Sequence, residues 1–200
     1  MPDCALIIMA KAPVPGYAKT RLIPALGPAG AARLAARLLS ETLAQAIAAR
    51  IGAVELCCAP DTAAFAAQWG LGPVVLSAQG DGDLGQRMGR AMERRLRQGS
   101  RVILIGTDVP GLDAAYLRAA HEALDQADAV FGPAADGGYT LIGLRAPAPR
   151  LFEGIPWSTD RVMAVTRERL AESGLRHLEL PMLFDVDEPG DLIHVPAAWL

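Results

Sequence analysis

The chain has little lysine, little cysteine and few aromatics, and each shortage excludes something. Only two of its nineteen basic residues are lysines, Lys11 and Lys19, both in one short segment near the N-terminus; the rest are arginines. Cys4, Cys57 and Cys58 form no CxxC or Cys/His ligand pattern, and the adjacent pair points to opposite faces of a strand and bridges poorly, so neither a disulfide framework nor a thiolate metal site is expected. Aromatics are 5% and charged residues 20%, with a formal net charge of −3, an acidic balance that argues against a general nucleic-acid binder. No apolar run approaches the ~20 residues that span a bilayer. The apolar start, Ala5 to Ala10, is short for a secretory signal and lacks a basic segment before it, so a soluble cytoplasmic protein is the expectation.

What is present is 52% hydrophobic residues over 200 positions, enough for one domain (1–200) with a sizeable core. Apolar runs predict strands at Ala5–Met9, Ala53–Cys57, Pro73–Leu76, Arg101–Ile105, Ala129–Phe131, Tyr139–Leu144 and Arg176–Leu183. Between them, helical spacing predicts helices over Pro28–Arg50, Asp61–Trp69 with Asp61 as a cap, a segment from Asp83 carrying Leu84, Met88, Met92 and Leu96 on one face, Asp113–Gln126, and Asp160–Ser173 capped by Ser158 or Thr159. The row Arg87, Arg90, Arg94 and Arg97 reads as a solvated face. Alternating strands and helices give an α/β fold with a mostly parallel sheet, and the Gly137-Gly138 turn adds a mixed element.

Four polar clusters fall just past strand ends, where open α/β sheets bind ligands. In Lys11 to Leu22, prolines stiffen the loop, Gly16 admits close backbone approach, and Lys11, Lys19 and Arg21 bring three cations suited to a polyphosphate. It is neither a P-loop nor a dinucleotide glycine fingerprint. In the second, Thr107-Asp108 places a hard carboxylate after the central strand, suited to Mg²⁺ or Mn²⁺ bridging phosphates. The third, Asp136-Gly137-Gly138-Tyr139, reads either as a simple turn or as glycines admitting a substrate that Asp136 orients. In the fourth, Asp185 and Asp187 alternate along an extended segment, and one of them facing Asp108 completes a carboxylate pair for a divalent cation. Asp83-Leu-Gly85-Gln-Arg87 either caps a helix or presents amides and Arg87 to a nucleotide. Trp157-Ser158-Thr159 starts a helix, with Trp157 packed or lining an acceptor site. His121, His177 and His194 are scattered and carry no catalytic assignment.

The segments Ala10 to Leu22, Gly106 to Pro110, Gly132 to Leu144 and Trp157 to Thr159 resemble a bacterial glycosyltransferase-like group within the nucleotide-diphospho-sugar transferase superfamily. Ala18 to Leu22 and Asp185 to Leu192 are similar, more distantly, to 2-phospho-lactate and molybdenum-cofactor guanylyltransferases. The resemblance implies a three-layer αβα, Rossmann-like GT-A fold. It implies a nucleotide on Ala10, Lys11, Gly16, Lys19, Arg21, Gly85, Arg87, Thr107 and Asp108, and a metal on Asp108 and Asp187. It also implies a substrate near Asp136, Gly137, Gly138, Tyr139, Trp157, Ser158 and Thr159, with Lys19, Asp108 and Asp136 catalytic. Two departures stand out: the glycine-rich loop usual in nucleotidyltransferases is replaced by the Lys/Pro/Gly loop, and the DxD of glycosyltransferases is reduced to Asp108-Val-Pro110. The first expectation is nucleotidyl transfer from an NTP to a small anionic acceptor with pyrophosphate release. Glycosyl transfer from an NDP-sugar is the alternative, and a non-catalytic nucleotide-binding module the third reading.

Overall fold

A computed structural model describes residues 4–60, 62, 63, 65 and 74–200. The helix expected over Asp61–Trp69, with its Asp61 cap, and Pro73 lie outside the described residues apart from 62, 63 and 65.

Among the described residues, seven strands form one sheet: β1 (Cys4–Lys11), β2 (Ala53–Ala59), β3 (Val74–Ala78), β4 (Arg101–Ile105), β5 (Ala129–Pro133), β6 (Tyr139–Leu144) and β7 (His177–Glu179). Their spatial order is β3-β2-β1-β4-β6-β5-β7, and β6 alone runs antiparallel to its neighbours. The central strands are apolar at consecutive positions because both faces of the sheet are covered. On β1, Leu6, Ile8 and Ala10 join the core beneath helices α1 (Ile23–Ala49) and α3 (Ala114–Ala123), with Leu39, Leu43, Leu117 and Ile103. Ile7 joins the opposite core, with Met88 and Met92 of α2 (Leu84–Leu96) and Met163 and Leu170 of α4 (Val162–Glu172). The expected three αβα layers are therefore present. Cys4, Cys57 and Cys58 are buried in them.

Local signals placed most helix ends. The Asp83 carboxylate accepts from Gln86 N, and the Gln86 side chain accepts from Asp83 N, forming a capping box; Asp113 caps α3 through Tyr116 N. In α1, Gly27 has a non-helical backbone (φ 67°, ψ 166°), so regular helix restarts at the expected Pro28. Two expectations need correction. Thr159 does not cap α4 from the expected position: helix begins at Val162, and Thr159 Oγ1 accepts from Arg161 N (3.3 Å) in the turn just before it. The last strand is three residues rather than eight. Pro181 lacks an amide for the ladder, and the chain beyond β7 follows β5 through separate bonds, Leu180 N to Phe131 O (2.8 Å) and Leu183 N to Pro133 O (3.0 Å).

The arginine row on α2 is not a uniform solvated face. Arg97 pairs with Glu93 at the surface, but Arg90 donates to the carbonyls of Gln79 (2.7 Å) and Asp81 (2.5 Å). Arg94 and its neighbour Arg95 bind both oxygens of Glu55 on β2, a carboxylate only 1% exposed that also accepts from Ser77 Oγ. The arginines reach solvent and Glu55 does not, so the two sides of the cluster are unequal. Removing the cations strands a buried charge, whereas neutralising Glu55 leaves arginines free to swing outward. Arg94→Ala with Arg95→Ala is expected to cost about 3 kcal/mol in urea unfolding, and Glu55→Gln about 1 kcal/mol. Equal losses would contradict this asymmetry.

Candidate functional site

The chain leaves β1 toward β2 and β3 on one side, while β4 joins β6, β5 and β7 on the other. The carboxyl ends of β1 and β4 therefore flank the switch point of the sheet, and a cleft of about 730 Å³ opens there. Ala10, Lys11, Tyr17, Lys19 and Arg21 form one bank. Thr107, Asp108 and Asp187 form the floor. Asp136, Tyr139, Trp157, Ser158, Thr159, Asp160 and Asp185 lie opposite.

Lys19 is the best-anchored of these side chains. The loop folds back through Tyr17 N to Val14 O (3.0 Å), and Ala18 and Leu22 are buried on either side. Lys19 itself takes a left-handed backbone (φ 50°) ahead of a 3-10 turn, which sends its side chain inward. Its Nζ donates to Asp187 Oδ1 (2.9 Å) and the Val186 carbonyl (2.6 Å), and forms an ion pair with Asp108 Oδ1 (2.6 Å). Three protein oxygens thus surround the ammonium, two as hydrogen-bond acceptors and one as an ion-pair partner. The side chain is 6% exposed. Burial acts to lower its pKa, but the charges and hydrogen bonds of Asp108 and Asp187 outweigh that and hold it above the usual lysine value. The expected phosphate ligand is thus, in this structure, a clamp between two carboxylates.

The segment carrying Asp185 and Asp187 is held from several directions. Val186 is fully buried against Leu22, Leu34 and Leu38, and its amide donates to the Asp108 carbonyl (2.9 Å). Asp191 Oδ2 accepts from the amides of Asp187 (2.9 Å) and Glu188 (2.7 Å). Asp187 keeps its second oxygen toward Arg21, 4.0 Å away. Asp185 has no cation partner among the described residues. Burial, then the charge of Asp136, then those of Asp187 and Asp108, push its carboxyl up to about 6. A cation beside their outer oxygens would ease the repulsion among these carboxylates, although among the described residues no three ligating side chains are gathered closely enough to hold a metal ion as they stand.

The structure gathers Ala10, Lys11, Lys19, Arg21, Thr107, Asp108, Asp136, Gly138, Tyr139, Trp157, Ser158, Thr159 and Asp187 around the cleft, but Gly16, Gly85, Arg87 and Gly137 are not on its walls. A Cβ on Gly137 would stand 2.2 Å from the Asp160 carbonyl, and one on Gly85 2.6 Å from the Trp157 indole nitrogen; both glycines admit neighbouring chain rather than substrate. Arg87 turns back to the Gly82 carbonyl (2.8 Å). Sequence reasoning missed Gln79, whose buried amide donates to the Ala10 and Cys57 carbonyls (both 3.0 Å) and ties the ends of β1 and β2 under the cleft. Its only signal was a polar residue directly after a strand.

The chain belongs to the family described as an uncharacterized protein conserved in bacteria (DUF2064), whose model matches residues 42–159. It is 28% identical over 173 residues to 2-phospho-L-lactate guanylyltransferase of Methanothermobacter thermautotrophicus, covering 83% of this chain and 75% of that protein. Among solved structures, a protein of Desulfovibrio desulfuricans provisionally described as a nucleotide-diphospho-sugar transferase superposes with a TM-score of 0.89 at 34% identity, over 96% of this chain and 85% of that one. A CMP:2-keto-3-deoxy-manno-octonic acid synthetase solved with CTP shares the fold, with a TM-score of 0.61 at 13% identity over 96% of each chain. The α/β, GT-A-like architecture expected from the sequence is the architecture of these neighbours.

Asp185 yields a stability test. Its folded pKa lies above the value of about 4 of a free aspartate, so the ionised form is penalised by folding. The penalty is complete above about pH 6 and fades as pH falls toward 4. At this partly solvated position it amounts to about 1 kcal/mol. In chelator at pH 7.5, Asp185→Asn is expected to raise the melting temperature by about 3 °C, with the gap closing near pH 4 and shrinking when Mn²⁺ is added. A lower melting temperature at pH 7.5 would contradict it.

Proposed function

We propose that the chain is a metal-dependent nucleotidyltransferase, moving a nucleoside monophosphate from an NTP to a hydroxyl of a small acceptor and releasing pyrophosphate. The observation that carries this is the charge of the cleft. Among the described residues, three cations and five carboxylates line it, so a bare triphosphate meets a net negative wall, and a triphosphate carrying a divalent cation does not. The guanylyltransferase relative supports the same chemistry.

Asp108 and Asp187 would hold the cation, with Asp185 beside them. When bound, a divalent cation supplies charge neutralisation at the α-phosphate. Lys11 and Arg21 are the exposed cations available to phosphate oxygens, while Lys19 holds the two carboxylates at a fixed separation. The acceptor oxygen forms a bond to the α-phosphorus, the bond to the β-bridging oxygen breaks, and pyrophosphate leaves with that electron pair. The hydroxyl proton passes to a carboxylate of the opposite bank, for which Asp136 is exposed and placed. No protein nucleophile is required; positioning and electrostatics suffice. The sequence favours an anionic acceptor, but the charge of the second bank favours another class. Glycosyl transfer is the second reading, favoured by the Desulfovibrio neighbour.

Calorimetry with NTPs and NDP-sugars in Mn²⁺ separates the two readings: NTP binding with pyrophosphate release is expected, and NDP-sugar binding without NTP binding would overturn the proposal. Asp108→Ala is expected to lower turnover by about 10²–10³-fold. Lys19→Arg keeps the charge, but a planar fork cannot meet three acceptors converging on one nitrogen. It is expected to weaken Mn²⁺–nucleotide binding about tenfold; unchanged affinity would show that the clamp is dispensable.

A further inference from the structure

The two banks of the cleft differ in charge. Its cations, Lys11, Lys19 and Arg21, all stand on the β1 side. The opposite bank brings Asp136, Asp160 and Asp185 to the cleft; the exposed Arg161 stands next to Asp160 on this segment but does not line the cleft, and no lysine, arginine or histidine is among the described residues that line this bank. Lys19 answers Asp108 and Asp187 on the floor, but Asp136 accepts only from the Gly138 amide (2.8 Å), and the Asp160 carboxylate has no partner among the described residues.

Nor does the helix entering this bank offer a place for an anion. The first amides of α4 and its approach are already taken: Arg161 N by Thr159 Oγ1 (3.3 Å), Val162 N by the Thr159 carbonyl (3.5 Å) and Met163 N by the Gly137 carbonyl (2.8 Å). The same bank carries an aromatic wall, Trp157 set edge-on to Tyr139 with ring centroids 6.3 Å apart. Ser158, held at φ 63°, adds a hydroxyl with no partner among the described residues.

We infer that the acceptor seated on this bank is a polyhydroxylated compound without negative charge, a sugar or amino sugar, and not a phosphorylated or carboxylated acid. Hydroxyls and ammonium groups donate to the carboxylates, and the apolar face of a ring lies on the aromatic wall. A phosphate or carboxylate in the same place would face like charges with only neutral donors such as the Ser158 hydroxyl, and no cation lining the bank, to offset them. This inference rests on the nucleotide-transfer reading for what the acceptor receives, and it separates this chain from its guanylyltransferase relative, whose named acceptor carries both a phosphate and a carboxylate.

The test uses the full chain with four probes: glucose, glucosamine, glucose 6-phosphate and 2-phospholactate. Binding is followed by the indole resonance of Trp157, assigned by its loss in Trp157→Phe, with and without saturating Mg²⁺–NTP. The expected ranking is glucosamine, then glucose, with both anionic probes about tenfold weaker or worse. Asp136→Asn with Asp160→Asn is expected to remove glucosamine's advantage, at about fivefold per carboxylate. Tighter binding of either anionic probe than of glucose would overturn the inference, as would no response to any probe up to about 50 mM. Because the ranking is also read without nucleotide, failure of NTP to bind counts against the transfer reading and leaves the ranking to be judged by itself.

Discussion

The ammonium of Lys19 joins three parts of the chain that are far apart in sequence. It sits on the loop after β1 and binds Asp108, just past β4, and Asp187, 168 residues further along the chain. Each carboxylate is nearly half exposed, and without a cation between them they would repel. The buried nitrogen turns that repulsion into a fixed distance. The Val186 carbonyl completes the coordination, and the Val186 amide returns a bond to the Asp108 backbone, so the C-terminal segment is registered against β4 at two points. Hydrophobic burial of Val186 alone would bring the segment close; the clamp decides which way Asp185 and Asp187 face.

The sheet explains why the remaining polar residues meet at the same end. Parallel strands β1 and β4 deliver their loops to one edge of the sheet. β5 also ends there, and because β6 is antiparallel its connection is a tight turn at that edge rather than a crossover to the far side. Asp136 therefore reaches the cleft by the shortest connection available. The segment after β7 runs beside β5 in the same direction and delivers Asp185 and Asp187 last.

What was legible in the sequence was mostly local. The runs that became β1, β4 and β6, the carboxylate caps at Asp83 and Asp113, and the polar clusters after strands depend on neighbours a few residues away. What was not legible depends on distant partners. Nothing near Arg94 and Arg95 in sequence announces Glu55, 39 and 40 residues away, so the helix face was read as solvated. The roles of Gly85 and Gly137 follow from Trp157 and the Asp160 carbonyl, which no spacing rule places against them. Lys19 lies between these cases: its charge and position in the loop marked the site, but only the folded chain shows that its ammonium points inward between two carboxylates and a carbonyl.

That inward orientation bears on why lysine stands at this position in a chain whose basic residues, Lys11 apart, are otherwise arginines. Three oxygen acceptors converge on one point at 2.6 to 2.9 Å, a geometry that suits a compact ammonium and not a planar guanidinium with donors spread over three nitrogens. Arg21, by contrast, is 61% exposed and reaches only the outer oxygen of Asp187, where a fork toward solvent and phosphate has room. The two cations differ by shape: the point charge fixes the carboxylates, and the fork faces the open cleft. With Lys19 already balanced by its partners, the cleft keeps a surplus of negative charge on its far side; on the reading proposed above, a polyphosphate would enter it in company with a divalent cation, and the proposed acceptor would bring no further negative charge to that side.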